Sequence, residues 1–176
     1  SHGWIGLIWP TEFGGGGRPP IERLIVGEEM IKAGAPIAAS WFGDRQMGPA
    51  LIQYGTPEQQ KVFLPGILAG ETTWCIGMSE PNAGSDLASL KTFAEDDGDE
   101  WVISGMKRWN SGLHHAPHDI IFARTSGEPG SPKGISAFLV PTDAPGFNVD
   151  FFWWTFNMPT DHAEVSMTDV RVGADA

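Results

Sequence analysis

Apolar and polar positions follow two different periods along this chain, and the change falls at about Thr72. Before it, the spacing is helical. Ile21, Leu24, Ile25, Glu28 and Ile31 follow Pro20 in steps of three and four, which predicts a helix with proline in its first turn and Gly34 at its end. Ala35 to Tyr54 reads as a second helical region, small and apolar through Ile37-Ala38-Ala39-Ser40 and interrupted by Gly43 and Gly48-Pro49. Small side chains let helices approach closely, so this piece is expected deep in a helical layer. Thr56-Pro57-Glu58-Gln59 carries a capping box, with Thr56 as cap and Gln59 reaching back, and predicts a helix to about Leu68 that Gly70 stops.

From Thr72 the period is two. Trp74, Ile76 and Met78 are predicted on one face of a first strand. Lys91 to Ala94 and Trp101 to Ser104 flank an acidic turn, Glu95 to Glu100, with Asp97-Gly98 at its centre, which predicts a hairpin. Ile120 to Arg124 and Ile135 to Val140 form a second predicted pair across a Gly/Pro/Ser loop, followed by strands at Phe147 to Phe152 and Ala163 to Thr168. The expected fold class is α+β: an α-helical piece over residues 1–72, then a compact β domain over 73–176, an antiparallel β-barrel or sandwich. Neither half reads as finished at its outer end.

Composition narrows the partners. The net charge of −11 argues against nucleic acid, because a phosphate backbone would be repelled. No stretch approaches the ~18 apolar residues of a membrane span. The opening Ser1-His2-Gly3-Trp4 lacks a basic leader, and a single cysteine excludes an internal disulfide framework, so cytosol or an organelle matrix is expected rather than secretion. Eight tryptophans against one tyrosine provide large planar surfaces for a core, an interface or a flat ligand.

The stretch most suited to chemistry is Trp74-Cys75-Ile76-Gly77-Met78-Ser79-Glu80-Pro81-Asn82-Ala83-Gly84-Ser85-Asp86. An apolar strand runs into a turn rich in hydroxyls and free N–H groups, a set of donors fit for a polar, phosphate-bearing ligand. Within it, Glu80 is read as holding the turn by accepting N–H bonds rather than as a base. Gly14 to Gly17 is read as a flexible turn and not a phosphate loop, since no Gly-Lys-Ser/Thr follows. His114, His115 and His118 are read as a loop near the ligand rather than a metal site, with Pro117 breaking any shared helical face. The acidic turn lacks calcium-loop spacing and is read as a solvated hairpin.

Cys75 to Asp86 resembles the signature of the acyl-CoA dehydrogenase family of flavoproteins. Trp101-Val102-Ile103-Ser104-Gly105-Met106-Lys107-Arg108-Trp109-Asn110-Ser111, Gly134 to Val140, Thr168 to Val172 and Trp9 to Gly15 resemble further family segments, and all of them stand in the family's order. The resemblance implies a helical domain, a central β-barrel and a C-terminal helical bundle, of which this chain would hold the end of the first and all of the second. It implies FAD as cofactor and an acyl-CoA thioester as substrate, losing an α-proton while the β-hydride passes to flavin N5. Ile76, Met78, Ser79, Gly84, Ser85, Trp109, Asn110 and Ser111 would then line the cofactor. Met78 and Ser79 would bond the ring, Gly84 and Ser85 would lie at the pyrophosphate or the pantetheine arm, and Ser85 would also meet the substrate. Trp109 would pack on the isoalloxazine, with Ser111 donating near N5. Ser79 and Ser111 stand where many members carry threonine, and Phe151 to Pro159 replaces the usual approach to the last strand with an aromatic run. No catalytic residue and no metal is expected here, because the family's usual glutamate base lies in the bundle. The resemblance further implies a homo-oligomer, commonly a tetramer, an electron-transfer flavoprotein as partner, and a bacterial cytoplasmic, mitochondrial or peroxisomal location. An acyl-CoA oxidase on the same fold and a non-enzymatic, tryptophan-rich β module are the rival readings.

Overall fold

In the computed structural model, which describes residues 2–176 (Met158 and Pro159 by main chain only), the change of period is a change of architecture. Helices fill a first unit that ends at Thr73, and strands fill a second from Trp74 to Ala176. Ser1 lies outside the described residues.

The helical unit is built around Trp9. Its indole is 2% exposed and its Nε1 donates to the Asp44 carbonyl at 3.0 Å, while Gly6 N donates to the Asp44 carboxylate at 2.7 Å. The glycine run is not a loose turn, as the sequence had suggested. Gly16, Gly17 and Arg18 donate to the carbonyls of Gly6, Trp9 and Leu7, and a Cβ at Gly15 would strike the Trp9 main chain. Helix α1 (Pro20–Lys32) has proline in its first turn as predicted, yet its apolar stripe faces outward: Ile21, Leu24, Ile25 and Ile31 are 52–61% exposed, and Gly27 is its only buried residue.

The second helical region is corrected in one respect. Helix α2 (Ala38–Phe42), a π-helical turn (Gly43–Met47) and α3 (Gly48–Tyr54) follow without a break, so Gly43 and Gly48-Pro49 do not interrupt the winding. Gly48 is needed for space instead, because a Cβ there would fall inside the Trp9 indole. Helix α4 (Pro57–Ala69) begins with the full capping box of Thr56 and Gln59 and ends at Gly70 in the left-handed region.

The second unit is one mixed sheet of seven strands. β1 (Trp74–Gly77), β2 (Phe93–Asp96), β3 (Glu100–Ser111), β4 (His118–Arg124), β5 (Ile135–Pro141), β6 (Phe147–Thr155) and β7 (Met158–Gly173) run in the order β1-β4-β2-β3-β7-β6, with β5 beside β4. The predicted hairpins β2–β3 and β4–β5 are present and antiparallel. The expected helical piece followed by a curled β domain is present, but the sheet is mixed rather than purely antiparallel: β1 lies parallel to β4, Trp74 beside His118 through Gly77 beside Ile121, and the sheet curls into a half-barrel. Side-chain alternation carries no strand direction, so the sequence pattern could not show this. A strand buried on both faces also loses its alternation, which is why Cys75 is as buried as Trp74; Met78 falls beyond the strand and is 37% exposed.

The core lies between sheet faces and includes Ile103, Ile121, Val140, Val165 and Val170, all at 0% exposure. β3 pairs with β7 along its whole length, with irregularities between Ile103 and Gly105 and between Arg108 and Asn110. The β6–β7 hairpin turns on Phe156 and Asn157, both at positive φ, and Phe156 is 95% exposed.

Candidate functional site

The turn after β1 is closed on itself and then fastened to β3. Glu80 N and Ala83 O bond at 2.8 Å, and the reverse pair at 3.2 Å. The Glu80 carboxylate accepts from Lys91 N at 2.7 Å, Thr92 N at 2.9 Å and Lys107 Nζ at 2.9 Å. Lys107 is fully buried and also donates to the Met78 carbonyl at 3.3 Å. Burial pushes the Glu80 carboxyl up, but the bonds from Thr92, Lys91 and Lys107 outweigh it and hold the group below the usual carboxylate range. Burial also lowers the Lys107 ammonium, with Glu80 opposing. Glu80 thus holds the turn by accepting N–H bonds, as the sequence indicated, though the donors lie outside the turn, Lys91 and Thr92 just before β2 and Lys107 in β3. Lys107 went unremarked in the sequence, where a lysine in a strand reads as a solvated position; its burial appears only once β1 and β3 are side by side.

A second anchor joins the turn to the other wall. Arg108 N donates to the Ser79 carbonyl at 2.8 Å. The next residue, Trp109, sits in the β3 irregularity with φ +68°, a conformation that costs a non-glycine residue about 1–3 kcal/mol and persists only where surroundings impose it. The bulge turns the indole out of the sheet, leaving it 44% exposed. It stands against Trp153 of β6 at 4.9 Å between centroids, and Phe151 backs Trp153 at 4.7 Å. Arg108 lies over the Trp153 ring at 4.7 Å and pairs with Glu164 at 2.7 Å. The buried Trp153 Nε1–H has no acceptor among the described residues. Ser111, half-buried, meets Nδ1 of His162 at 2.6 Å across the β3–β7 ladder.

The sequence candidates therefore separate into two groups. Met78, Ser79, Trp109 and Ser111 are at least partly exposed and belong to two walls joined by the Arg108–Ser79 bond; Gly84 and Ser85 are exposed at the far side of the turn. Ile76 is half-buried within β1 beside Ile120, and Asn110 is at 0% exposure with its amide given to Asp119. Asn110 points inward because it follows Trp109 in an alternating strand, so only its main chain remains for a ligand. Asp119 is wholly buried, which pushes its carboxyl up to about 6 despite opposing bonds from Cys75 and Asn110 and the charge of Lys107. Burial, then the Asp119 charge, raises the Cys75 thiol far above its usual range, so it is an inert core group.

The three histidines of the metal alternative do not converge. His114 and His115 lie against each other as tilted rings 3.9 Å apart and His118 stacks on Trp74 at 5.2 Å; among the described residues no three His, Cys, Asp or Glu side chains could share a metal. The acidic turn is bridged by Arg171, which bonds Asp97 at 2.8 Å and Glu100 at 2.9 Å on the surface. Among the described residues no helix is long and apolar enough to cross a membrane. His162, Trp153 and Lys107 are the members of the site that sequence reasoning did not single out, and only strand pairing brings them in.

Family models match both units: "Acyl-CoA dehydrogenase, N-terminal domain" over residues 1–71 and "Acyl-CoA dehydrogenase, middle domain" over residues 75–170. The chain belongs to the acyl-CoA dehydrogenase family. It is 48% identical over 145 residues to acyl-CoA dehydrogenase IpdE1 of Mycobacterium tuberculosis, covering 81% of this chain and 37% of that protein. Among solved structures it resembles the ChsE4-ChsE5 complex of Mycobacterium tuberculosis (TM-score 0.90, 39% identity, 98% of this chain and 44% of that one). It also resembles the Tcur3481-Tcur3483 steroid acyl-CoA dehydrogenase (TM-score 0.89, 42% identity, 98% and 44%). A glutaryl-CoA dehydrogenase of Mycobacterium smegmatis solved with FADH2 is similar at TM-score 0.74 and 26% identity, over 99% and 44% of the two chains. The chain thus spans less than half the length of these relatives.

Proposed function

We propose that this chain supplies the flavin wall and the thioester-arm turn of an FAD-dependent acyl-CoA dehydrogenase, with residues 1–72 as the latter part of its N-terminal helical domain and 73–176 as its flavin- and acyl-CoA-binding domain. The observation that carries the reading is Trp109, held outward at φ +68° beside a turn to which its own strand is hydrogen-bonded. The residues present fit a flat ring with polar edges. An exposed indole backed by Trp153 gives an aromatic face, and Ser79 and Ser111 give hydroxyls around it. In this reading Trp109 packs the ring, Met78 and Ser79 bond its pyrimidine edge, Ser111 bonds at its central nitrogen, and Gly84 and Ser85 meet the pyrophosphate or the pantetheine arm. The flavin, when bound, accepts the β-hydride. Glu80 takes no proton, since three donors hold it ionised as a strut for the turn. The α-proton goes to a base supplied by sequence outside this chain. The likeness to a steroid enzyme favours a bulky, steroid-derived acyl-CoA over a simple fatty acyl chain. Association with a different subunit, as in the ChsE4-ChsE5 complex, is the assembly favoured over a homotetramer.

The visible spectrum of the purified full-length protein tests the reading. Flavin bands that bleach anaerobically on adding an acyl-CoA thioester support it, and a colourless protein refutes it in favour of a binding module. Slow reoxidation in air separates a dehydrogenase from an oxidase. The isolated chain is expected to bind FAD weakly and to show no turnover with an artificial acceptor.

A further inference from the structure

Ser111 presents a hydroxyl on the proposed flavin wall, but a hydroxyl has one hydrogen, and its nearest polar neighbour is an imidazole nitrogen. The distance from Ser111 Oγ to His162 Nδ1 is 2.6 Å, so one of the two must donate. If Ser111 donates, its hydrogen is spent on His162 and nothing remains for a ligand. If His162 donates, Ser111 accepts and its hydrogen is free to turn elsewhere. The surroundings of Nδ1 decide between these. The Asp161 carboxylate lies 3.5 Å from the same nitrogen, so two oxygens flank it, one of them anionic, and a proton on Nδ1 serves both. Among the described residues the other acceptor for the Ser111 hydroxyl is the Trp109 carbonyl at 3.4 Å, a long contact readily exchanged for a better one. His162 is further fixed by its edge contact with the Trp109 ring, 6.4 Å between centroids.

We propose that His162 is a positioning residue of the flavin site. Its Nδ1–H donates to Ser111 Oγ and thereby turns the serine hydrogen toward the bound ring. The family's more usual threonine would fix the hydroxyl through its methyl group, and here an imidazole from β7 does so from outside the side chain. The proposal rests on the flavin reading above. The ring nitrogen that takes the hydride accepts a hydrogen bond best in the oxidised ring, before it carries a hydrogen of its own, so the reduction equilibrium of the bound flavin reports the orientation of the serine hydrogen.

The test uses the full-length protein, purified with FAD and titrated anaerobically to give its two-electron potential and visible spectrum. His162→Leu is expected to shift the reduction equilibrium about tenfold toward the reduced form, about 30 mV for a two-electron couple. Ser111→Ala is expected to give the same shift, and the double variant no more than either alone. His162→Asn, whose amide N–H takes the place of Nδ1–H, is expected to retain the wild-type potential, while His162→Gln, with its amide one carbon further out, is expected to lose it. An unchanged potential in His162→Leu, or shifts that add with Ser111→Ala, overturns the proposal. Should His162→Leu not fold, equal potentials in the Asn and Gln variants overturn it. A wild-type protein that binds no flavin refutes the site reading itself, whereas normal flavin binding with these insensitivities refutes only the role of His162.

Discussion

The two units of this chain hold themselves together in different ways. The sheet unit gathers apolar side chains of β3, β4, β5 and β7 into one core and pairs charged groups inside it, with Lys107 on Glu80 and Asn110 bonded to Asp119. The helical unit is organised by a single indole, Trp9, and leaves the stripe of α1 and the ring of Tyr54 in solvent. Exposed apolar side chains do not separate the two, since β6 leaves Trp154 in solvent as α1 leaves its stripe. The difference lies in what holds the backbone: the sheet unit fastens its turn with a buried ion pair and main-chain donors, whereas the helical unit fits glycines closely against one indole.

The sharpest way to break the contrast is Lys107→Met. Removing one partner of a buried pair leaves Glu80 as an uncompensated buried charge, a loss of about 3–5 kcal/mol. Chemical denaturation of the sheet unit is expected to show it, with loss of flavin absorbance in the full-length protein because the turn is unfastened. Retained stability would show that the backbone donors at Lys91 and Thr92 suffice.

Asp119→Asn gives the next effect, visible against pH. Burial raises this carboxyl from 3.8 in the unfolded chain to about 6 in the folded one, so the folded state keeps its proton over that interval. Its contribution to stability is therefore present at low pH and falls as pH climbs from about 4 to 6, by on the order of 2–3 kcal/mol. The Asn variant is expected to gain on wild type by that amount across the interval, and parallel pH profiles would contradict the assignment. Glu80, held low, acts in the opposite sense: its contribution is lost as pH falls.

In the helical unit, Gly48→Ala forces a methyl into the Trp9 ring, and overpacking of this kind costs about 1–3 kcal/mol. Faster hydrogen exchange in α2, α3 and α4 is the expected readout. The smallest effect belongs to Thr56→Ala, which removes one half of the capping box for about 1 kcal/mol, read as a lower melting temperature.

Local signals were legible in the sequence wherever the physics is local. The capping box at Thr56, proline at the start of α1, the Asp97-Gly98 hairpin and the pairing of β4 with β5 depend on residues near one another in the chain, and the sequence places them correctly. The turn after Trp74 was equally visible as a set of donors at a strand end. What the sequence could not carry was direction and partnership. The parallel approach of β1 to β4, the burial of Lys107, the inward turn of Asn110 and the meeting of Ser111 with His162 join residues 9 to 51 positions apart. Those contacts follow from strand register and from one bulge at Trp109, and neither leaves a mark in the alternation of apolar and polar residues. The sequence by itself determined the elements, the family and the donors of the turn. Tertiary structure alone decided which groups fasten that turn, which side chains are buried beneath it, and which stay exposed beside it.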